Sequence, residues 1–308
     1  MTHDTRACLQ EIKNKIKGLP LVDAAAFEAL NLLNDPHSDY IKLAEKISPD
    51  VAARFLNIAN SAFYGCEVSS VVHAMRLLGF SQMKQVLVTS FLLDHFSKHL
   101  KFRVFSFQDY LRQAQFCAAL ARSLGEAVGF KRTEDLYTAA LLHNIGLLVM
   151  AVYFSEAYEA SIALAAESGV SLLQAQTQVM GAAHPEIGAL VLTRLNIPRE
   201  ICEGVRYHRA ADGEVPAAVD GELGLIARHA VILCEKLRLP QDTQLPALRA
   251  QLKTVVGRER PGVQEKLRGL TTFAQRQALL RELLARLAVV VAQELETGTN
   301  QTSVLAVA

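Results

Sequence analysis

The sequence contains no tryptophan and few aromatic residues of any kind, with 13 Phe and 7 Tyr among 308 residues. Sheet proteins draw on aromatic and β-branched side chains, so this composition disfavours a predominantly β fold. Ala and Leu fill the apolar quota instead, and both are strong helix formers. The composition therefore favours helix packing.

Cysteines are few, odd in number and widely scattered, and no two of them form a CxxC pair. This pattern argues against a zinc cluster and against a disulfide framework. Reduced thiols are typical of a cytoplasmic protein, which is the localisation we predict. The five residues are Cys8, Cys66, Cys117, Cys202 and Cys234.

An excess of charge of either sign is also lacking, since 32 Lys and Arg nearly balance 31 Asp and Glu. A neutral chain lacks the overall basic field of a dedicated nucleic-acid binder. Residues 240–286 carry a local excess, with nine basic residues against four acidic ones. We expect a solvated helix face there, and keep nucleic-acid binding through residues such as Arg258, Arg260 and Arg268 as a weaker alternative.

Long hydrophobic runs are missing as well. The longest nearly apolar run, Ile145 to Phe154, is about half of the ~20 residues that a membrane-spanning helix needs. Residues 1–18 are polar and charged, without the apolar core of a secretory signal. The sequence therefore predicts neither secretion nor a membrane partner.

Helix signals, by contrast, recur along the chain. Ser171 and Gln174 have the spacing of a capping box, and Gly79 stands where a left-handed helix stop is expected. Thr133 opens a helix that we expect to carry His143. Pro185 suits the first turn of another helix. No run alternates as a strand would, so the predicted fold is all-α.

Three regions are predicted from these signals. Residues 15–97 form an N-terminal helical subdomain and residues 98–215 a second helical subdomain, while residues 216–308 are a C-terminal helical extension. The last helix carries an apolar stripe at about 3.5-residue spacing, which we expect to pack on its own domain, with pairing to a second subunit as the alternative. The stripe consists of Phe273, Leu280, Leu284, Leu287 and Val291.

Six segments in order resemble the HDOD domain, over about residues 15–210. They read LPLVDAAAFEALNLLND, AARFLNIANSAFYG, AMRLLGFSQMKQVLV, LLHNIG, HPEIGALVLTRLNIP and VRYH. The resemblance implies an all-helical core of the HD phosphohydrolase superfamily, found in bacterial signalling proteins. It also implies a degenerate metal site, since this family is generally regarded as having lost the catalytic metal.

The residues at the matching positions agree with that loss. HD hydrolases hold one or two divalent metals with His and Asp, and the metals activate a bound water. Here the name-giving pair reads His143-Asn144, and Gln113 stands where the motif has an earlier histidine. The resemblance retains His184 and His208 but places Arg209 at the second member of the late histidine pair.

Two interpretations of these histidines stay open. In one, His143, His184 and His208, with Glu235 near the position of a late aspartate ligand, bind a divalent metal such as Zn, Fe or Mn. In the other, which we favour, they are buried polar residues satisfied by hydrogen bonds. We therefore expect no cofactor.

A second family motif follows a predicted helix that ends near residue 59. We expect it to be structural, with Asn60 and Ser61 capping the helix, Gly65 turning the chain, and Phe63 and Tyr64 buried between the subdomains. A recognition surface is the alternative.

The leading hypothesis is a non-catalytic regulatory module in bacterial signalling. It would bind signalling proteins or a small ligand in the cleft between its subdomains, and it could form a homo-oligomer. The alternative from a different class is a metal-dependent phosphohydrolase or nucleotide phosphodiesterase with a reduced site. Gln113 and Asn144 speak against the enzyme, because a dication is held more weakly when anionic and imidazole ligands are replaced by amides.

Overall fold

The computed structural model describes most of the chain as α-helix. The described residues are 39–47, 49–60, 67–99, 106–210, 215–216, 221–237, 245–267 and 278–287, with the separate residues 12, 14–16, 18, 32, 275, 289–290 and 292–293. No strand occurs among these residues. The all-α prediction is confirmed.

Contacts divide the chain into two compact units. One comprises residues 10–101, and the other comprises residues 1–9 and 102–308. The domain boundaries given above, at residues 97 and 215, stay predictions.

The first unit contains three described helices, and α1 and α2 both contact α3. Asp39 caps α1 by accepting a hydrogen bond from the backbone N–H of Ile41 at 3.0 Å. Gly79 interrupts α3 with φ 73° and ψ 165°, so it has the positive φ that suits glycine but breaks a longer helix and does not form the predicted left-handed stop. The helices are α1 (Tyr40–Lys46), α2 (Pro49–Ala59) and α3 (Val71–His99).

Asn60, the residue after α2, bonds Val68 through its side chain. The Asn60 side chain accepts from the backbone N–H of Val68 at 2.5 Å and donates to its carbonyl oxygen at 2.8 Å. The other residues of this motif, Ser61, Phe63, Tyr64 and Gly65, lie outside the described residues.

The second unit carries the remaining helices. They are α4 (Phe107–Ala127), α5 (Thr133–Leu141), α6 (Ile145–Tyr153), α7 (Ser155–Ser168), α8 (Leu172–Met180), α9 (His184–Arg194), α10 (Arg199–Arg206), α11 (Glu222–Leu237) and α12 (Leu245–Leu267), and residues 278–287 are also helical.

Local sequence explains several of these boundaries. Ser171 and Gln174 form the predicted capping box of α8, with the Ser171 hydroxyl accepting from the Gln174 N–H at 3.2 Å. Gly169 ends α7 in the left-handed conformation, with φ 67°. Pro185 lies in the first turn of α9 as predicted, where its missing N–H costs no hydrogen bond.

Helix α4 organises the core of the second unit. It packs against α5, α11 and α12, so helices of the C-terminal extension share its core. Phe116, Leu120 and Leu136 are fully buried there. In the C-terminal stripe, Leu280, Leu284 and Leu287 are buried within the chain, whereas Phe273 and Val291 lie outside the described residues.

The helices α5 and α6 require one correction to the sequence analysis. Together, Thr133–Tyr153 is long and apolar enough to cross a membrane by length and composition. Counting apolar residues from Ile145 alone misses this segment. However, most of it is buried inside the chain, and a turn at residues 142–144 divides it. Helices of this kind also form the core of water-soluble folds, and α5 and α6 contribute to the core here.

Candidate functional site

The first candidate residue, His143, lies in the turn between α5 and α6. Helix α5 ends at Leu141, so the expectation that His143 is carried on this helix is wrong. The N–H of Leu142 makes the last helical bond of α5, to the carbonyl oxygen of Thr138, and the Ile145 N–H then bonds the Leu142 carbonyl oxygen at 2.9 Å where the chain turns into α6. This placement points the His143 side chain into the core, where it is 3% exposed.

Two glycines bring this turn against the start of α9. A Cβ added to Gly146 would lie 2.0 Å from the carbonyl oxygen of His184. A Cβ added to Gly188 would lie 3.2 Å from the backbone nitrogen of Gly146. The absence of side chains at both positions lets α6 and α9 approach backbone to backbone. His143 and His184 are thereby held in neighbouring segments.

The three predicted histidines come together in the second unit. The ring centroids of His143 and His208 are 5.1 Å apart, and those of His184 and His208 are 5.5 Å apart. His184 and His208 are each 1% exposed. We call His143, His184 and His208 the histidine cluster.

Each ring is fixed through its Nδ1 atom. That atom lies 2.6 Å from the Ala140 carbonyl oxygen in His143 and 2.6 Å from the Val205 carbonyl oxygen in His208. A carbonyl oxygen only accepts, so Nδ1 carries the proton in both rings and Nε2 keeps its lone pair.

Gln176 fixes the third ring and was not identified from the sequence. Its side-chain oxygen lies 2.8 Å from His184 Nδ1 and accepts from the His184 backbone N–H at 3.0 Å. Gln176 is fully buried in α8. A buried glutamine inside a helix is a weak signal by itself, and only the contact with α9 reveals this role.

Burial keeps the histidine cluster neutral. It lowers the pKa of His143 to about 4, against a weaker opposing effect of the Ala140 carbonyl. Burial likewise holds the pKa values of His184 and His208 well below 6.5, and the nearby positive charge of Arg209 lowers them further. The imidazoles are therefore uncharged at neutral pH.

Several buried polar atoms around the cluster lack a hydrogen-bond partner. These atoms are the Nε2 atoms of His184 and His208, Asn144 Oδ1 and Gln176 Nε2. Buried polar atoms are usually paired, so such a group marks a position where function, and not packing alone, is expected to have shaped the structure.

Arg209 and Glu235 form an ion pair beside the cluster. The two side chains are in direct contact, and Arg209 Nη1 lies 3.3 Å from Glu235 Oε2. Glu235, the predicted carboxylate ligand, is thus ion-paired with the Arg209 guanidinium. The positive charge of Arg209 also lowers the pKa values of all three histidines.

The remaining predicted position, Gln113, has an exposed side chain on α4. Its backbone carbonyl oxygen accepts a long contact from Cys234 Sγ at 3.8 Å. The Cys117 thiol is buried next to Cys234, and burial raises its pKa well above the usual value. The Cys117 thiol is therefore in its unreactive, protonated form at neutral pH.

The donor set does not fit a hydrolytic metal centre. Three neutral imidazoles and the Asn144 amide oxygen carry no negative charge, and Arg209 adds a positive one. Among the described residues, no three His, Cys, Asp or Glu side chains are grouped so that they could hold a metal ion. The site thus lacks a carboxylate ligand at Asn144, and the positive charge of Arg209 opposes a dication beside the three rings.

An open groove lies next to the cluster in the same unit. It has a volume of about 700 Å³ and is lined by residues from the end of α9 through α10 to Tyr207, the neighbour of His208. Arg199 and Arg206 bring positive charge to it, and Arg199 Nε donates to Glu203 at 2.6 Å. The groove is large enough for a small ligand or a peptide side chain.

A family model for the HDOD domain matches residues 19–211. This chain belongs to the HDOD domain family. The match covers the motif around Asn60 and all three members of the histidine cluster, as the resemblance implied.

Two solved structures share the fold of this HDOD domain. One is an HDOD domain protein of unknown function from Geobacter sulfurreducens, 20% identical, with a TM-score of 0.57 over 94% of this chain and 97% of that one. The other is a candidate phosphohydrolase from Shewanella amazonensis SB2B, 22% identical, with a TM-score of 0.58 over 94% and 98% of the two chains. At these identities the likeness shows the fold alone.

An uncharacterised protein of Treponema pallidum (strain Nichols) is 24% identical over 204 residues, or 64% of this chain. The HDOD chain spans 39% of that relative's length.

Proposed function

We propose that this HDOD domain is a non-catalytic regulatory module of bacterial signalling, acting by binding a protein or a small ligand. One observation carries the proposal. The residues at the former metal site form a neutral histidine cluster beside the Arg209–Glu235 ion pair. A guanidinium in this position supplies positive charge permanently and repels a metal ion. The site therefore serves structure and recognition in place of hydrolysis.

Binding surfaces support the same proposal. The groove along α10 is open, and its lining of mostly polar and charged groups, including Arg199, Glu203 and Arg206, suits a polar or charged partner. Binding in the cleft between subdomains, homo-oligomerisation and the identity of the signalling partner stay predictions. We place the module in the cytoplasm, consistent with Cys117, Cys202 and Cys234 being free thiols.

The second candidate function is metal-dependent phosphohydrolysis. The unpartnered Nε2 atoms of His184 and His208 favour it, because neutral imidazole nitrogens are common ligands of divalent metals. The fold likeness to the Shewanella amazonensis protein agrees with it. We rank it below the regulatory function since Asn144 offers a neutral amide where the HD motif has a carboxylate, and Arg209 adds positive charge beside the histidines.

An activity assay separates the two functions. Full-length protein is incubated with Mn²⁺, Fe²⁺ or Zn²⁺ and with phosphomonoester and phosphodiester substrates, beside a His143→Gln variant whose folding is checked by circular dichroism. We expect the rate of substrate hydrolysis with either protein to equal the rate with the metal ion alone. Metal-dependent turnover by the wild type that His143→Gln abolishes would refute the regulatory proposal and establish the enzyme.

A further inference from the structure

A pocket lies between two helices of the second unit, beyond the residues that the HDOD family model matches. Four of its lining residues share one face of α12, at positions i, i+3, i+4 and i+7, and the last helical segment contributes a set with the same spacing that begins at Leu283. The α12 residues are Glu259, Gly262, Val263 and Lys266. Two helix faces therefore meet here, with the pocket between them.

A glycine in the middle of the α12 face keeps the pocket open. A Cβ added to Gly262 would meet nothing within 4 Å, so the space beside this residue is empty. The pocket has a volume of about 130 Å³. A protein cavity of roughly 150 Å³ holds benzene, so this pocket has room for one ring or a short hydrocarbon chain.

The interior of the pocket is apolar. Val263, Leu283 and Leu287 line it, and each of these residues is no more than 6% exposed. Apolar walls favour a ligand body without polar groups, because water is released from the apolar surface of both partners when the ligand enters.

The outer part of the pocket is positively charged. Lys266 and Arg286 are exposed lining residues, and neither side chain makes a hydrogen bond or an ion pair within the part of the chain that the structure describes. The acidic lining residue, Glu259, pairs with Arg258 at 3.5 Å, so its negative charge is offset. Two cations are thus available to an anionic group on a ligand.

We propose that this pocket binds a small molecule that joins an anionic head group, such as a carboxylate, to one apolar ring or a short hydrocarbon chain. The ring or chain lies against Val263 and Leu287, and the head group pairs with Lys266 and Arg286. The site uses no residue of the histidine cluster or of the groove along α10. It is therefore independent of the proposed regulatory function, which the activity assay tests at the histidine cluster.

Titration of the full-length protein with phenylacetate tests the proposal. Methyl resonances of Val263 and Leu287 are followed by NMR, and we expect them to shift saturably as one molecule binds per chain. Acetate lacks the ring and should bind at least about tenfold more weakly, since the buried ring supplies most of the affinity. Phenylacetamide keeps the ring but is neutral, and should bind more weakly than phenylacetate by about two- to fivefold for each cation that it no longer pairs with.

A variant that fills the pocket locates the binding. Gly262→Leu places a side chain in the empty space and should weaken phenylacetate binding at least about tenfold, because it takes the position of the ring. Gly257→Leu is the matched control, since a Cβ at Gly257 also meets nothing within 4 Å but this residue of the same helix does not line the pocket. It should bind phenylacetate as the wild type does. Urea denaturation checks that both variants are folded.

Two further variants test the charged rim. Lys266→Gln and Arg286→Gln should each weaken phenylacetate binding by about two- to fivefold, the usual strength of an exposed ion pair. The proposal is overturned if the wild type shows no saturable shift at Val263 and Leu287, or if Gly262→Leu binds as tightly as Gly257→Leu. Equal affinity for phenylacetate and phenylacetamide, or unchanged affinity in both charge variants, overturns the anionic head group.

Discussion

The Cβ that Gly146 lacks would lie 2.0 Å from the carbonyl oxygen of His184. A real Cβ cannot approach a backbone oxygen so closely. The two backbones therefore lie this close only because position 146 is glycine. It joins the start of α6 to the start of α9. The geometry of the histidine cluster thus depends on a residue with no side chain.

Gly146→Ala should therefore destabilise the protein although alanine is the better helix former. We expect a loss of about 1–3 kcal/mol, the usual range for overpacking a rigid core. Urea denaturation followed by circular dichroism measures it. Gly224→Ala in α11 is the matched control, because a Cβ there meets nothing within 4 Å and should leave stability equal or raise it by up to about 1 kcal/mol. Equal stability of both variants would contradict the close contact.

Gln176→Leu should also destabilise the protein while preserving side-chain size. The substitution removes the oxygen that holds the Nδ1 and the backbone N–H of His184. Two buried donors would be left without partners, at about 1–3 kcal/mol each. Urea denaturation measures the loss. Gln174→Leu is the control, because it removes an exposed capping residue of the same helix and leaves the buried contact of Gln176 with His184 in place. A cost for Gln176→Leu no greater than for Gln174→Leu would speak against this role.

Stability should fall on acidification below about pH 6.5. The histidine cluster has folded-state pKa values below the usual 6.5, so the unfolded chain takes up protons first. Stability is complete above the unfolded-state value and is lost as the pH falls toward the folded-state value, which is about 4 for His143. The slope is about 1.4 kcal/mol per pH unit for each histidine in that window.

Denaturation at a series of pH values measures this slope, and His143→Gln should reduce it by the share of one histidine. The difference between wild type and variant isolates the contribution of His143 from that of all other titrating groups. An identical slope in the variant would show that His143 has the same protonation in the folded and unfolded states over this pH range, and would contradict its lowered pKa.

Arg209→His should increase the affinity of the cluster for metal ions. The change removes the guanidinium, frees Glu235 and adds an imidazole. Mn²⁺ retained after gel filtration, measured by elemental analysis, should rise toward one ion per chain when Asn144→Asp is added, since a carboxylate restores anionic character. Arg132→His is the control, because Arg132 pairs with Glu200 on an exposed surface. No gain in the double variant would mean that the histidines cannot converge on an ion.

Asn60→Ala should loosen the segment after α2. The Asn60 amide bonds both the N–H and the carbonyl of Val68, so alanine leaves two backbone groups to find other partners. We expect a loss of about 1–2 kcal/mol, and faster hydrogen exchange at Val68. Asn60→Asp keeps the acceptor alone and should lose less. An unchanged hydrogen-exchange rate at Val68 in Asn60→Ala would show that the Asn60 side chain does not hold Val68 in place.

Much of the helical architecture follows from local sequence. The capping box of Ser171 and Gln174 and the positive φ of Gly79 were predicted, because each depends on a few neighbouring residues. The position of His143 was not, since helical periodicity continues past Leu141 and no local capping residue marks the turn at residues 142–144. Gln176 escaped prediction for a related reason: its partner is eight residues away on another helix.

The sequence by itself determined the all-α fold and the chemical inventory of the site. Asn144 and Arg209 bring a neutral amide and a positive charge to the site wherever the chain folds, at positions where the resemblance implies an aspartate and a histidine. The tertiary structure alone decided that three histidines converge, that Arg209 pairs with Glu235 and that Gln113 faces solvent. Distances between side chains on different helices are set by how the helices pack. In this protein that packing depends on the close approach of α6 and α9 that Gly146 and Gly188 permit.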